Sequence, residues 1–156
     1  MRNIHALKGM AMSSTERVLH IDIPVLLPEV KAVFSIASLS FEGDLPASMF
    51  HLQLIQQDID AWNAVSELYA VFHTNAGHVT LNDETYNVER KITTGNPYKY
   101  LIAGLVQNGV HVELCGATAK AHNWVNADLL PDIRINTDAM ARIIQLAQQG
   151  FEQIAE

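Results

Sequence analysis

Cysteine is nearly absent from this sequence, since Cys115 is the one cysteine in 156 residues. A single cysteine excludes an intrachain disulfide, and this usage is typical of a protein from a reducing compartment. The first ten residues also lack the apolar core of a secretory signal, so we expect a cytoplasmic protein. The alternative is a periplasmic protein from which an export signal has been removed.

Positive charge and long apolar runs are also scarce. The chain carries 17 acidic and 10 basic side chains, for a formal net charge of −7, and has no cluster of lysine and arginine. An acidic surface repels phosphate backbones, which argues against a nucleic-acid partner. No apolar run approaches the roughly 20 residues that cross a bilayer, so we expect no membrane partner.

Several motifs that identify cofactor and catalytic sites are missing as well. The sequence contains no Gly-rich phosphate loop, no G-x-G-x-x-G and no G-x-S-x-G. His73 and His78 flank a short flexible segment, but no cysteine or carboxylate cluster completes a tetrahedral metal site with them. We therefore expect no metal and no bound cofactor.

The apolar pattern predicts one α/β domain over residues 17–156, preceded by a poorly ordered segment at residues 1–16. Strands are predicted at 31–36, 67–73, 110–115 and 133–135, and an edge strand or extended arm at 18–23. Helices are predicted at 46–65, 83–91, 96–109 and 117–124. A last helix is predicted to begin after Thr137 as its N-cap and to end at Gly150. Its inward-facing residues are predicted to be Met140, Ile143, Ile144 and Ala147. The alternation predicts a mostly parallel sheet of about five strands with helices on both faces.

Ligands of such sheets bind beyond the carboxyl ends of the strands, and two reactive side chains are predicted there, Cys115 and His73. A helix begins directly after Cys115, and its N-terminus would stabilise a thiolate and lower the thiol pKa. Lys120 and His122 would add positive potential, and the small residues Gly116 and Ala117 would leave the sulfur accessible. The alternative is a cysteine that packs as a small hydrophobe, and a histidine that is only a hydrogen-bonded structural residue.

The residues around Cys115 resemble those of the DsrE/DsrF-like family. The resemblance rests on an ordered set of elements: Asn96-Pro97, Leu101-Ile102, Leu105, Gly109-Val110, Cys115-Gly116, Asp128-Leu129-Leu130-Pro131 and Gly150-Phe151, with Ala70-Val71-Phe72-His73, Leu81-Asn82-Asp83 and Tyr86 upstream. The resemblance implies a three-layer α/β/α fold, a homo-oligomer that is often a trimer or hexamer, and sulfur carried as a persulfide on Cys115. Relatives often read His-Gly-Pro-Ala where this chain reads His73-Thr74-Asn75-Ala76, so Asn75 would replace a smaller rim residue at the binding site.

Three functions are consistent with these features. The first is a sulfur carrier or sulfurtransferase component, in which Cys115 passes a sulfane sulfur between donor and acceptor proteins and His73 assists by a hydrogen bond or proton transfer. The second is a non-catalytic module that binds a small ligand or assembles into an oligomer. The third is a hydrolase that uses His73 with a nearby carboxylate, for which Asp83 and Glu84 are the closest in sequence.

Overall fold

The computed structural model describes residues 17–156, so the prediction for residues 1–16 lies outside the described residues. In chain order the elements are β1 (Glu29–Ile36), β2 (Phe41–Glu42), β3 (Leu45–Pro46), α1 (Ala47–Trp62), β4 (Val65–Phe72), a 3₁₀ helix (Thr74–Thr80), α2 (Asp83–Arg90), α3 (Lys99–Gln107), β5 (His111–Cys115), α4 (Gly116–His122), a second 3₁₀ helix (Asn126–Asp128), β6 (Arg134–Asn136), α5 (Ala139–Gln148) and β7 (Glu152–Ala155). No helix in this part of the chain is long and apolar enough to cross a membrane.

Five strands form one sheet in the order β6-β5-β4-β1-β7, and every neighbouring pair in it is parallel. The central strands β1, β4 and β5 are apolar on both faces, as parallel strands are when helices cover both sides of the sheet. A short antiparallel pair, β2 and β3, leads into α1. The predicted α/β fold with a mostly parallel sheet is confirmed.

The two faces of the sheet are covered unequally. One face carries Phe34, Phe72 and Leu114, and it packs against α1, α2, α3 and α4 in the larger core. The opposite face carries Val33, Val71 and Cys115, and it packs against α5 in a smaller cluster. These three layers place Cys115 between the sheet and α5.

The fifth strand of the sheet is β7, near the end of the chain, and not the segment at residues 18–23 that the sequence pattern indicated. Residues 18–23 form no strand, whereas β7 pairs with β1 at the edge of the sheet. All four residues of β7 are exposed, and Glu152 and Gln153 open it, so it lacks the apolar run that marks a buried strand. The arm at residues 17–27 lies on the surface.

The last helix differs from its prediction in its cap and in its inward face. Asp138, not Thr137, is the N-cap, because its side chain accepts a hydrogen bond from the N–H of Ala141 at 2.7 Å. The buried residues of the helix include Ile143, as predicted, together with Ala139 and Leu146. The other residues predicted to face inward, Met140, Ile144 and Ala147, are exposed.

The helix predicted from Asn96 begins three residues later, at Lys99. Asn96 is buried, and its amide donates to the carbonyls of Val79 and Leu81 at 2.9 and 2.7 Å while its oxygen accepts from the N–H of Tyr98. The side chain therefore ties the start of α3 to the end of the first 3₁₀ helix. Gly109 follows the helix with a positive φ of 90°, as the sequence predicts.

Candidate functional site

Cys115 and His73 lie at the same rim of the sheet. Phe72 of β4 is the register partner of Leu114 of β5, so the residues that follow them, His73 and Cys115, end neighbouring parallel strands side by side. Because side chains alternate along a strand, both belong to the face that α5 covers. The structure therefore has both residues at the carboxyl-end rim of the sheet, as predicted.

The Cys115 sulfur lies where two helices begin. Cys115 is the N-cap residue of α4, and its sulfur accepts a hydrogen bond from the N–H of Ala139, the first residue of α5, at 3.2 Å. The first N–H groups of a helix have no partner within that helix, so a sulfur here satisfies one of them. The partial positive charge of a helix N-terminus favours a thiolate over a thiol.

These contacts outweigh the effect of burial on the thiol. Burial alone raises the pKa of the Cys115 thiol, but the N–H groups of Thr118, Ala139 and Ala117 and the Thr118 hydroxyl hold the pKa below its ordinary value. The donors that stabilise the thiolate therefore come from the first turns of α4 and α5. Among residues 17–156 no cationic side chain forms a hydrogen bond with the sulfur, so these donors carry the stabilisation of the thiolate.

Gly116 has a different role from the one expected of it. A Cβ at this position would clash with the backbone carbonyl oxygens of Asn136 and Thr137, so the residue must be glycine for the loop after β6 to approach. Cys115 itself is only 5% exposed, and its sulfur contacts the N–H of Ala139, just after that loop. The expectation of a freely accessible sulfur was wrong for this conformation, although Ala117 is exposed.

The His73 ring is held by two hydroxyl groups. Its Nε2 lies 3.0 Å from the Ser35 oxygen and its Nδ1 lies 2.9 Å from the Thr74 oxygen. Burial lowers the pKa of His73 below its ordinary value, which favours the neutral ring. Within residues 17–156 no carboxylate forms a hydrogen bond or ion pair with His73, so the hydrolase hypothesis lacks the group it requires.

Thr74 and Thr118 connect the two predicted site residues. Thr74 shares its hydroxyl with His73, and its N–H donates to the Thr118 oxygen at 3.1 Å. Thr118 is in turn one of the groups that lower the pKa of Cys115. Sequence reasoning missed both threonines, because the contact spans 44 residues of the chain.

The remaining predicted binding residues lie farther along their elements. Lys120 and His122 are in the last turn of α4, whereas Cys115 precedes its first turn. His122 stacks on Trp124 with ring centroids 4.3 Å apart, and its Nδ1 lies 3.1 Å from a Glu89 oxygen. Their contribution to the potential at the sulfur stays a prediction.

Asn75 is exposed in the first turn of the 3₁₀ helix that follows His73. It stands at the rim, beside Thr74, as the sequence predicts for a residue that shapes the entrance. Its contact with a ligand or partner also stays a prediction.

A buried ion pair lies directly beneath the site and was not foreseen. Arg142 of α5 binds both carboxylate oxygens of Glu113, with Nε at 2.9 and 3.1 Å and Nη2 at 2.9 Å, and Asn136 donates to the same carboxylate at 3.0 Å. Glu113 precedes Cys115 by two residues on the same strand face, and Asn136 is the register partner of Cys115. The pair fixes α5 against β5 and thereby fixes the helix end that contacts the sulfur.

The described residues offer no evident place for a metal ion, since no three or more histidine, cysteine, aspartate or glutamate side chains cluster among them.

Known proteins share both the sequence pattern and the fold. The DsrE/DsrF-like family model matches residues 31–155. The structure of MTH1491 from Methanobacterium thermoautotrophicum, a protein of unknown function, superposes with a TM-score of 0.63 at 16% identity, over 81% of this chain and 99% of that one. The E. coli ychN protein superposes with a TM-score of 0.55 at 16% identity, over 81% of this chain and all of that one. No curated protein sequence matches the chain.

Proposed function

The chain belongs to the DsrE/DsrF-like family, and from that membership we propose that it is a sulfur carrier that holds a persulfide on Cys115. The observation that carries the proposal is the hydrogen bond from the Ala139 N–H to the Cys115 sulfur. Together with the first turn of α4, this contact favours the thiolate over the thiol.

The chemistry proposed is an exchange of sulfur between thiolates with no net oxidation. In loading, the Cys115 thiolate attacks the outer sulfur of a persulfide donor, a new S–S bond forms, and the donor leaves as its own thiolate. In unloading, an acceptor thiolate attacks the outer sulfur on Cys115, and the electron pair of the broken S–S bond returns to the Cys115 sulfur. A thiol with a lowered pKa is the better leaving group in this second step.

Access to the sulfur is the requirement that this proposal must meet. Cys115 is 5% exposed, and the loop after β6 approaches Gly116 closely. A donor of any size would need the rim around residues 73–80 or the start of α5 to open locally. Such openings are common in loops and helix ends, which have lower local stability than a core strand.

The test is intact mass spectrometry of the native protein after exposure to a sulfane-sulfur donor. The chain has one cysteine, so a gain of about one sulfur atom, absent in Cys115→Ser, would assign the persulfide to Cys115. Thiol labelling of the native and the denatured protein would measure access independently. No mass gain together with no labelling before denaturation would contradict the sulfur-carrier proposal.

A second candidate function is assembly, and the arm at residues 17–27 favours it. From residue 19 onward its odd-numbered positions are apolar and 40–83% exposed: Leu19, Ile21, Ile23, Val25 and Leu27. Contiguous exposed apolar residues on this scale mark an interaction surface.

Pro24 in the arm and Pro28 directly after it indicate how the arm could bind. Pro24 and Pro28 both occupy even positions, so in an extended strand the missing N–H groups would face the same side. The odd-numbered residues keep every backbone donor, and the arm could pair through them with a free sheet edge such as that of β7 on a second copy. We accordingly propose a homo-oligomer, for which the family resemblance implies a trimer or hexamer.

A further inference from the structure

His51 of α1 lies between two carboxylates that belong to other parts of the fold. Its Nδ1 is 2.6 Å from an oxygen of Glu156, the residue after β7, and its Nε2 is 3.5 Å from an oxygen of Glu42 in β2. Among the described residues no third charged side chain forms an ion pair with this ring. Because the two carboxylates stand at opposite ring nitrogens, they link α1 to β2 and β7 and do not converge on a metal position.

Both contacts are favourable only for the charged ring. A carboxylate accepts hydrogen bonds and donates none, whereas a neutral imidazole has a single N–H. Two carboxylates at the two nitrogens therefore require the imidazolium, in which each nitrogen carries a hydrogen. The hydrogen bond to Glu156 raises the pKa of His51 above its ordinary value, burial opposes this rise, and the charge of Glu42 adds to it.

Loss of one proton separates the two contacts. The remaining hydrogen belongs on Nδ1, because the contact with Glu156 is shorter and the Glu156 side chain is 15% exposed, against 56% for Glu42. Nε2 then presents a lone pair to the Glu42 carboxylate, and two acceptors form no hydrogen bond. The β2–β3 pair has only two residues in each strand, and both residues of β2 are exposed. This pair is therefore the element that the lost contact should loosen.

We propose that His51 forms a pH-sensitive clasp with Glu42 and Glu156, which holds the β2–β3 pair against α1 when the ring is charged and releases it when the ring is neutral. The attachment of β7 to α1 persists in both states. The clasp lies at the same rim as the candidate site, because the Glu156 N–H donates to the Ser35 carbonyl at 2.8 Å and the Ser35 hydroxyl lies 3.0 Å from the His73 Nε2. Its release would loosen the rim beside β1, and it does not depend on the proposed sulfur chemistry.

The test follows the full protein by NMR as the pH is changed. Nitrogen shifts of the His51 ring report its charge and, above the midpoint, which nitrogen carries the hydrogen. Amide exchange of residues 41–45, corrected for its intrinsic dependence on pH, reports the β2–β3 pair, and that of residues 152–156 reports β7. Glu42→Gln removes the carboxylate that should be released, and Glu29→Gln, which removes the same charge at the exposed start of β1, is the matched control.

We expect a His51 midpoint above the ordinary histidine value of about 6.5, and a hydrogen on Nδ1 beyond that midpoint. Because the folded pKa is the higher one, the clasp stabilises the fold below the ordinary value and loses its effect as pH rises through the folded pKa. Exchange of residues 41–45 should therefore accelerate by roughly two- to fivefold across the midpoint, as expected for one largely exposed ion pair. Exchange of residues 152–156 should change less.

Glu42→Gln should abolish this step in exchange, and Glu29→Gln should retain it. The proposal would be overturned by a midpoint at or below the ordinary value, or by a neutral ring with its hydrogen on Nε2. It would also be overturned by a wild-type protein without the step, or by a step that Glu42→Gln leaves unchanged or Glu29→Gln removes. The wild-type titration needs no substitution, and Glu42 is exposed, so the result does not depend on a variant that fails to fold.

Discussion

The N–H of Ala139 donates a hydrogen bond of 3.2 Å to the sulfur of Cys115, 24 residues earlier in the chain. The contact joins the end of β5 to the start of α5, and both residues are buried. One sulfur atom thus accepts a hydrogen bond from the first N–H of α5 and is also the candidate reactive atom at the rim. A change at Cys115 should affect stability as well as chemistry.

Loss of this acceptor should be measurable in the free energy of unfolding. Cys115→Ala leaves the buried N–H of Ala139 without a partner, and we expect it to lower the free energy of unfolding by about 1–3 kcal/mol. Cys115→Ser retains an acceptor and should cost less. Urea denaturation of the three proteins at one pH measures the difference, and an equal loss in both variants would show that packing alone is responsible.

The lowered thiol pKa also predicts how stability depends on pH. Between the pKa of Cys115 in the folded protein and the ordinary thiol value near 8.5, the unfolded chain binds more protons, so stability rises with pH. The wild-type advantage over Cys115→Ser should be greatest above the unfolded value and should disappear as pH falls through the folded one. Denaturation at a series of pH values would contradict this if the advantage stayed constant or grew on acidification.

The outline of this site follows from the sequence, but its donors do not. A strand that ends in Cys115 and a neighbouring strand that ends in His73 can be recognised from their apolar runs, and parallel strands bring such ends to one rim. Ala139 contributes through a contact between elements, and no local pattern distinguishes an alanine that donates its N–H to sulfur from any other alanine. The edge strand β7 was missed for a related reason, since it is exposed and depends on its pairing with β1.

The conformation of Thr74 is a second feature that its sequence does not indicate. Its φ is 52°, in the left-handed region that disfavours β-branched residues. Thr74→Gly and Thr74→Ala both lose the hydroxyl, but only glycine tolerates this φ without strain. We expect Thr74→Gly to be more stable than Thr74→Ala by about 1 kcal/mol, measured by thermal or urea unfolding. Equal stabilities would show that the backbone relaxes at this position.

The ion pair beneath the site should be sensitive to loss of one partner. Glu113 has a side chain only 8% exposed, so Arg142→Met would leave a buried carboxylate without its counter-charge. We expect a loss of about 3–5 kcal/mol in the free energy of unfolding, and a smaller loss in the double variant with Glu113→Gln. The pair of Lys99 and Asp83, whose side chains are 32% and 45% exposed, is the more exposed control, for which Lys99→Met should have a much smaller effect. A small effect of Arg142→Met would mean that water reaches Glu113.

The arm at residues 17–27 predicts how the protein associates. If its odd-numbered residues bind a second copy, charges at Ile21 and Ile23 should dissociate the oligomer, because a carboxylate would have to be buried in an apolar contact. Leu26 is comparably exposed at 73%, against 82% for Ile23, but would face the opposite side if the arm pairs as an extended strand, so Leu26→Asp is the matched control. Light scattering should report a smaller particle for Ile21→Asp/Ile23→Asp and an unchanged one for Leu26→Asp. A wild-type monomer, or equal dissociation by both changes, would show that the odd-numbered face of the arm does not hold an oligomer together. The sulfur chemistry of Cys115 would then be the one proposed function left to test.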